Sequence, residues 1–378
     1  MIPLAKPLVG DREEQLVLDT LRSRRLALGP RLPEFESALS ARLNRPVSAV
    51  SSGTAGLHLA VRAAGVEAGD EVITTPFSFV ASANCLLYEN ATPVFCDIDP
   101  RTLNADPTAA RAAVTDRTTG LLPVHIFGYP ADMPGFERLA ADHSLWIVED
   151  TCEALGAAHA DGPQVGARGN LAVFGFYPNK QLTTGEGGAV VSPDETSKEQ
   201  IDSERNQGRA PDMGWLDHDR LGFNYRLDEI SCALGLAQLE RLSEMLAARS
   251  RIAGLYSEAL AGVEDLGLPC PDEGGNRRSW FVFVVQLPRA VDRDDAVVAM
   301  RERGVDTKPY LPAIHLMSFY RERFGHREGE FPVCEDVARR SLALPFFPEL
   351  SDGEVEQVVE ALDEVIGSAL TATSARPR

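Results

Sequence analysis

The sequence predicts an α/β protein: a large domain whose mostly parallel sheet is sandwiched by helices, followed by a smaller C-terminal α+β domain. Two observations lead there. The chain has 378 residues, and a single domain rarely grows much beyond roughly 250–300. From about residue 47 to 192, short β-rich runs alternate with helix-like stretches, which is the pattern of a doubly wound domain.

Each element follows from its own run of residues. Segments 47–51, 71–75, 93–98, 121–127, 145–149, 171–176 and 189–192 read as strands. Several are apolar on both faces, as strands covered by helices on each side tend to be. From residue 227 to about 260 the pattern turns helical, with Ile230, Leu234, Leu236, Leu239, Leu242 and Met245 forming a broad apolar surface. Segment 262–275, rich in Gly, Pro and acids, leads to a strongly apolar strand at 280–287 and a helix over 294–303. The division expected is 1–250 for the large domain with its N-terminal segment, 251–367 for the small one, and 368–378 as a flexible tail.

Charge and cysteine usage exclude several classes. Lys and Arg total 37 against 56 Asp and Glu, a net charge of −19. Such a chain repels polyanions, and no basic run can neutralise nucleic-acid phosphates. The six cysteines, Cys85, Cys96, Cys152, Cys232, Cys270 and Cys334, show neither CxxC pairing nor metal-ligand spacing. They read as buried small hydrophobes in a reducing compartment. With no signal-peptide pattern and no run near the ~20 apolar residues that span a bilayer, the expected location is the cytoplasm.

Three pieces carry chemistry. Glu149 and Asp150 end the apolar run at 145–148, where an open α/β sheet binds its ligands; alone, they fit a loop acid or helix cap as well. Lys180 follows an apolar run and precedes the turn Gly185-Glu186-Gly187-Gly188. Such a turn lets backbone approach a ligand, and burial there would favour Schiff-base chemistry at the amine. Ser51-Ser52-Gly53-Thr54-Ala55-Gly56 opens a helix running to about Ala64. Its free N–H groups suit a phosphate, although Ser-Gly-Thr is also ordinary N-cap chemistry. A phosphate cradle, an acid and an amine about thirty residues later are the parts needed to hold pyridoxal 5'-phosphate.

Taken end to end, the sequence resembles the DegT/StrS family of sugar aminotransferases, within the aspartate-aminotransferase (fold type I) superfamily. The resemblance runs from Ile2-Pro3-Leu4-Ala5-Lys6-Pro7 through Leu28-Gly29-Pro30, Ser52-Gly53-Thr54, Thr75-Pro76-Phe77-Ser78-Phe79, Glu149-Asp150, Asn179-Lys180, Gly185-Glu186-Gly187-Gly188 and Gly222-Phe223-Asn224-Tyr225-Arg226-Leu227 to Tyr310, His315 and Ala343-Leu344-Pro345. It implies that Lys180 binds the cofactor covalently and that Asp150 pairs with its protonated ring nitrogen. It places Gly53 and Thr54 on the phosphate, Phe79 on the face of the ring, and Asn224 and Arg226 across a homodimer interface in the neighbouring site. Lys6, Tyr310 and His315 match the substrate region.

Two positions depart from the family. Gly175 stands where many relatives carry a phosphate-binding Ser. Glu153 stands where many have His or Gln, and a second ionised carboxylate there would oppose the cofactor's phenolic oxygen. Glu153 is therefore either protonated or turned elsewhere. The implied reaction transfers an amine from glutamate to a keto sugar, a nucleotide-linked 4-keto-6-deoxyhexose before the alternative of a keto-inositol. The family's sugar dehydratases carry His in place of the lysine, and non-catalytic members would be expected to lose Lys180 or Asp150; this chain keeps both.

Overall fold

In the computed structural model, which describes residues 1–210 and 217–374, the chain opens with α1 (Asp11–Ser23) and α2 (Arg31–Leu43). Seven strands then form the main sheet: β1 (Val47–Val50), β2 (Glu71–Thr74), β3 (Thr92–Phe95), β4 (Thr118–Leu122), β5 (Trp146–Asp150), β6 (Leu171–Gly175) and β7 (Gly188–Val191). Between them run α3 (Gly53–Ala63), α4 (Ala81–Tyr88), α5 (Pro107–Ala112) and α6 (Met133–His143). After β7 come α7 (Glu195–Arg205), α8 (Glu229–Glu240) and α9 (Leu242–Leu260). The spatial order is β1-β7-β6-β5-β4-β2-β3, with β7 antiparallel to both its neighbours and the other pairs parallel. Each of the seven expected runs contributes a strand. Four of the helices start where a side chain meets an open first-turn N–H: Ser52 on Ala55, Asp132 on Gly135, Asp194 on Ser197, and Asp228 on Ile230 and Ser231.

One boundary moved for a reason that matters to the site. The strand expected over 121–127 ends at Leu122. Pro123 has no N–H to continue the ladder, and Phe127 takes a left-handed φ of 51°. The chain after β4 instead curls over the end of β5, with the His125 N–H on the Asp150 carbonyl at 3.0 Å.

The second lobe holds β8 (Phe283–Gln286), α10 (Arg293–Glu302), β9 (Lys308–Pro309), α11 (Ser318–Phe324), α12 (Pro332–Arg340), β10 (Ser341–Leu344) and α13 (Asp352–Ser374). Its three strands pair antiparallel in the order β8-β10-β9, as an α+β lobe requires. One face of this sheet, with Val284 and Ala343, packs into the core of the first lobe. The other, with Phe283, Val285, Leu342 and Leu344, packs on α9, α10 and α13.

The helix expected over 227–260 is two helices, turning at Arg241 (φ −106°, ψ 3°). The turn lets α9 serve both lobes: Leu242 and Met245 pack in the first, and Ile252, Ala253, Tyr256 and Leu260 in the second. The position 250/251, where the domain boundary is expected, lies inside this continuous helix. Ile2 also packs in the second lobe's core, bridging to Val305. At the C-terminus α13 continues to Ser374, so the tail expected from 368 is helical over its first part; its last residues, 375–378, lie outside the described residues. Among the described residues no helix is long and apolar enough to cross a membrane.

Candidate active site

The carboxyl ends of β1, β5 and β6 meet at one edge of the main sheet. Gly188, the first residue of β7, pairs with Val50 on one side and Gly175 on the other. A Cβ on Gly188 would lie 2.8 Å from the Gly53 nitrogen and 2.8 Å from the Phe174 carbonyl oxygen. Only glycine lets β7 start this close to the head of α3. Gly53 and Thr54 are the first two residues of α3, so their N–H groups have no intrahelical acceptor. The Ser52 hydroxyl takes the Ala55 N–H at 3.0 Å. What remains is a pair of open donors at the positive end of a helix dipole, an anion cradle. Its wall is Cys152, whose sulfur lies 3.0 Å from the position of a Cβ on Gly53 and 3.4 Å from that of one on Gly175. The contact at 175 is an ordinary one, so space does not exclude a Ser there; the missing hydroxyl leaves Gly53 and Thr54 as the donors.

Asp150 ends β5 and is 5% exposed. Its carboxylate accepts the Ser82 hydroxyl at 2.6 Å and the Cys152 N–H at 3.1 Å. Among the described residues it forms no ion pair, although an ionised buried carboxylate calls for a cation. Alternation along β5 sends Glu149 to the opposite face, where its oxygens meet His125 Nε2 at 3.1 Å and Asn170 Nδ2 at 2.9 Å. Burial works against the charge of Glu149, yet these partners hold its carboxyl below the usual range. Nearby, burial pushes His159 down to about 4. Phe79 sits just ahead of α4, its carbonyl accepting the Ser82 N–H at 3.2 Å. Phe79 is 63% exposed.

Lys180 lies on the connection from β6 to β7, in a turn closed by the Phe176 N–H on the Gly187 carbonyl at 2.9 Å and opened by Gly185 at φ 82°. Its Nζ is 3.9 Å from the centre of the Phe281 ring and 3.5 Å from Glu153 Oε1, with 15% of the side chain exposed. The other Glu153 oxygen accepts the Phe127 N–H at 2.9 Å. Glu153 thus points into the site. Burial outweighs Lys180 and the Phe127 N–H and raises the carboxyl above the ordinary carboxylate value. The Cys152 thiol is likewise pushed far up by burial, with the Asp150 charge adding to it.

The remaining candidates divide. Tyr310 accepts Asn179 Nδ2 at 3.4 Å and its ring stands 6.0 Å from Phe281, next to the lysine. Burial raises its hydroxyl. Asn224 and Arg226 lie on a segment whose Tyr225 carbonyl accepts the Ser51 N–H at 2.8 Å. Phe223 and Tyr225 point inward and stack at 5.0 Å. Asn224 is exposed, and Arg226 Nη1 donates to Asn206 at 3.0 Å. His315 is 0% exposed, with Nε2 3.1 Å from Glu335 and its ring against Phe331. Lys6 pairs with Glu349 at 2.9 Å on the surface and touches none of the other candidates.

Sequence reasoning missed four parts of this arrangement. Ser82 supports Asp150, Phe281 lies under the lysine amine, and the Phe127 backbone holds Glu153. Arg249, 3% exposed, donates to the Lys180 and Phe281 carbonyls at 3.0 Å each, and burial pushes it down to about 10. A signal for Arg249 was present: it is the one charge in the buried stripe Met245, Arg249, Ile252 and Tyr256. An anion cradle, a buried acid without a cation, and an amine within one sheet edge fit pyridoxal 5'-phosphate. Among the described residues no group of His, Cys, Asp or Glu is placed to hold a metal ion.

Comparison with known proteins finds a match along nearly the whole chain. The DegT/DnrJ/EryC1/StrS aminotransferase family model matches residues 7–363. The chain is 34% identical to the spore coat polysaccharide biosynthesis protein SpsC of Bacillus subtilis, over 97% of this chain and 98% of that protein. It is 33% identical to GDP-perosamine synthase of Caulobacter vibrioides, over 97% and 98% of the two chains. Among solved structures it is similar to S. venezuelae DesV in complex with a ketimine intermediate, with a TM-score of 0.88 and 34% identity over 97% of this chain and 95% of that one.

Proposed function

The chain belongs to the DegT/DnrJ/EryC1/StrS aminotransferase family, and from that premise we propose that this pyridoxal-phosphate enzyme moves the amino group of L-glutamate onto a nucleotide-linked 4-keto-6-deoxyhexose in amino-sugar biosynthesis. The observation that carries the chemistry is the set of a buried Asp150 without an ion-pair partner among the described residues, the Lys180 amine on the β6–β7 connection and an open helix cradle. The relative named GDP-perosamine synthase, similar along nearly the whole chain, supports a nucleotide-linked acceptor.

When bound, pyridoxal 5'-phosphate supplies the carbonyl that takes the amino group and an electron sink for charge developing on the donor's α-carbon. Gly53 and Thr54 hold its phosphate, without help from a hydroxyl at Gly175. Asp150 favours the protonated ring nitrogen and so stabilises that developing charge. Phe79 covers one face of the ring. Lys180 anchors the cofactor between turnovers and, once displaced, its amine carries the proton away from the α-carbon. Glu153 lies beside the Lys180 amine with its carboxyl raised by burial, which disfavours a negative charge facing the phenolic oxygen. Tyr310 borders the side where the sugar enters.

The partner completing the site is a second copy. Phe79, Tyr177, Leu221 and Leu28 are 63%, 54%, 71% and 57% exposed, large apolar groups of the kind an interface covers. Asn224 and Arg226 then serve the neighbouring site. Mixing Lys180→Ala with Arg226→Ala chains under subunit exchange should restore roughly one quarter of wild-type activity, because about half the dimers are mixed and each has one intact site. No recovery in verified mixed dimers, with each parent inactive, would refute the shared site. The acceptor is tested by offering the holoenzyme L-glutamate with GDP-, UDP- and dTDP-linked 4-keto-6-deoxyhexoses and a keto-inositol. Transfer to the inositol alone would overturn the sugar assignment.

A further inference from the structure

A cleft of about 530 Å³ opens between the segment 100–103 and the segment 267–271, with Phe127 in its lining and Glu153 outside it. Its walls are mostly apolar, with Leu103, Leu268, Val284 and Phe127 among them, and no carboxylate lines it. The two charges that do are Arg101 and Arg278. In a chain of net charge −19 that is an unusual lining. Arg101, at the rim, is already paired with Glu273.

Arg278 is different. It is 6% exposed and forms no ion pair among the described residues. Its Nη1 donates to the Phe127 carbonyl at 3.3 Å, and its Nη2 to the Cys270 carbonyl at 3.2 Å and sulfur at 3.1 Å. Its Nε has no partner. The guanidinium stands 4.8 Å from the Tyr129 ring and 4.7 Å from that of Trp280. The nearby Asp272 carboxylate is bonded to the Arg278 backbone N–H at 2.9 Å rather than to its head. Carbonyls and rings offset part of the cost of burying a charge, but an anion is what such a group lacks.

We propose that this cleft is a binding site for a small organic anion, its carboxylate or phosphate on Arg278 and its apolar body against Leu103, Leu268 and Val284. Occupancy would be felt at the lysine, because the Phe127 carbonyl that Arg278 holds belongs to the residue whose N–H holds Glu153 beside Lys180. The proposal concerns a site separate from the anion cradle and does not depend on which sugar the enzyme uses.

The test uses holoenzyme whose cofactor has been fixed by borohydride, so the cradle is filled. Phenyl phosphate and benzoate are titrated by calorimetry, with benzyl alcohol as the uncharged control. The expected result is one saturable site per chain, at millimolar affinity or better, for at least one anion. That anion should bind about tenfold or more tightly than the alcohol. Which anion binds assigns carboxylate or phosphate. Arg278→Met should erase the preference for the anion, and Leu268→Trp, which fills the cleft and leaves Arg278 in place, should abolish binding. Leu268→Trp alone decides the matter if the Arg278 variant does not fold. Absence of saturable binding, or binding unchanged in Leu268→Trp, overturns the site. In unreduced holoenzyme the anion should shift the visible absorption band, and no shift would overturn the link through Phe127.

Discussion

Asp150→Asn separates the chemistry of the site from its architecture. In the wild type the carboxylate accepts the Ser82 hydroxyl at 2.6 Å and the Cys152 N–H at 3.1 Å. An asparagine can keep both neighbours. Its oxygen accepts the Cys152 N–H, and its amide nitrogen donates to Ser82. The Ser82 hydrogen then turns to Ser78 Oγ at 2.7 Å or the Phe79 carbonyl at 3.2 Å. What is lost is the difference between charge-assisted and neutral bonds, about 1–2 kcal/mol, and part of it returns because a buried charge without a cation disappears. Urea unfolding of the cofactor-free protein should therefore shift by about 1 kcal/mol or less. Turnover has no such compensation: losing one preorganised electrostatic partner costs on the order of a hundredfold to a thousandfold. The assay is the glutamate half-reaction followed by absorbance in a single turnover, beside the unfolding curve. A half-reaction within about threefold of wild type would refute the role of Asp150. Loss of several kcal/mol with a proportionate loss of rate would show instead that the residue supports the fold.

Three further outcomes follow from the same geometry. Borohydride should fix the cofactor on Lys180 and no other lysine, read by peptide mapping, and Lys180→His should abolish multiple-turnover transfer because imidazole cannot anchor the cofactor. Burial holds Glu153 above the ordinary carboxylate value, so the folded chain keeps this proton to higher pH than the unfolded chain. Its contribution favours folding at low pH and is lost as pH rises through the raised value. The melting temperature of cofactor-free Glu153→Gln minus that of wild type should thus increase from about pH 4 to about pH 7, and a flat difference would contradict the assignment. Arg249→Met leaves the Lys180 and Phe281 carbonyls without their donor, at about 1–3 kcal/mol each, while removing a buried charge. A net loss of about 1–4 kcal/mol in urea unfolding, with weaker cofactor retention on dialysis, is expected; unchanged retention would confine Arg249 to the fold.

The main sheet was legible because each strand announces itself locally. The runs at 47–51 and 189–192 are short, apolar and bounded by turn residues, and they became β1 and β7. The same holds for the site parts that sit on strand ends and helix starts, since Asp150, Lys180 and Ser52-Gly53-Thr54 take their places from the element beside them. What stayed hidden depends on pairs far apart in sequence. Arg249 meets Lys180 across 69 residues and Gln181 meets Ser279 across 98. No local pattern fixes which carbonyl a buried guanidinium will find. Helix α9 shows the same limit: its apolar spacing was plain, but not that one helix would serve two cores.

Glu153 marks the point where the two kinds of information meet. Its identity was read as a problem, a second carboxylate where the cofactor is electron-rich, and sequence left open whether it was neutral or turned away. Its position follows from the failure of β4 to continue past Pro123, which curls the chain so that the Phe127 N–H takes one Glu153 oxygen and leaves the other toward Lys180. A carboxyl anchored in this way cannot turn out to solvent without breaking a buried bond. It must therefore answer the electrostatics of the site by its protonation state, and burial already biases it toward the neutral form.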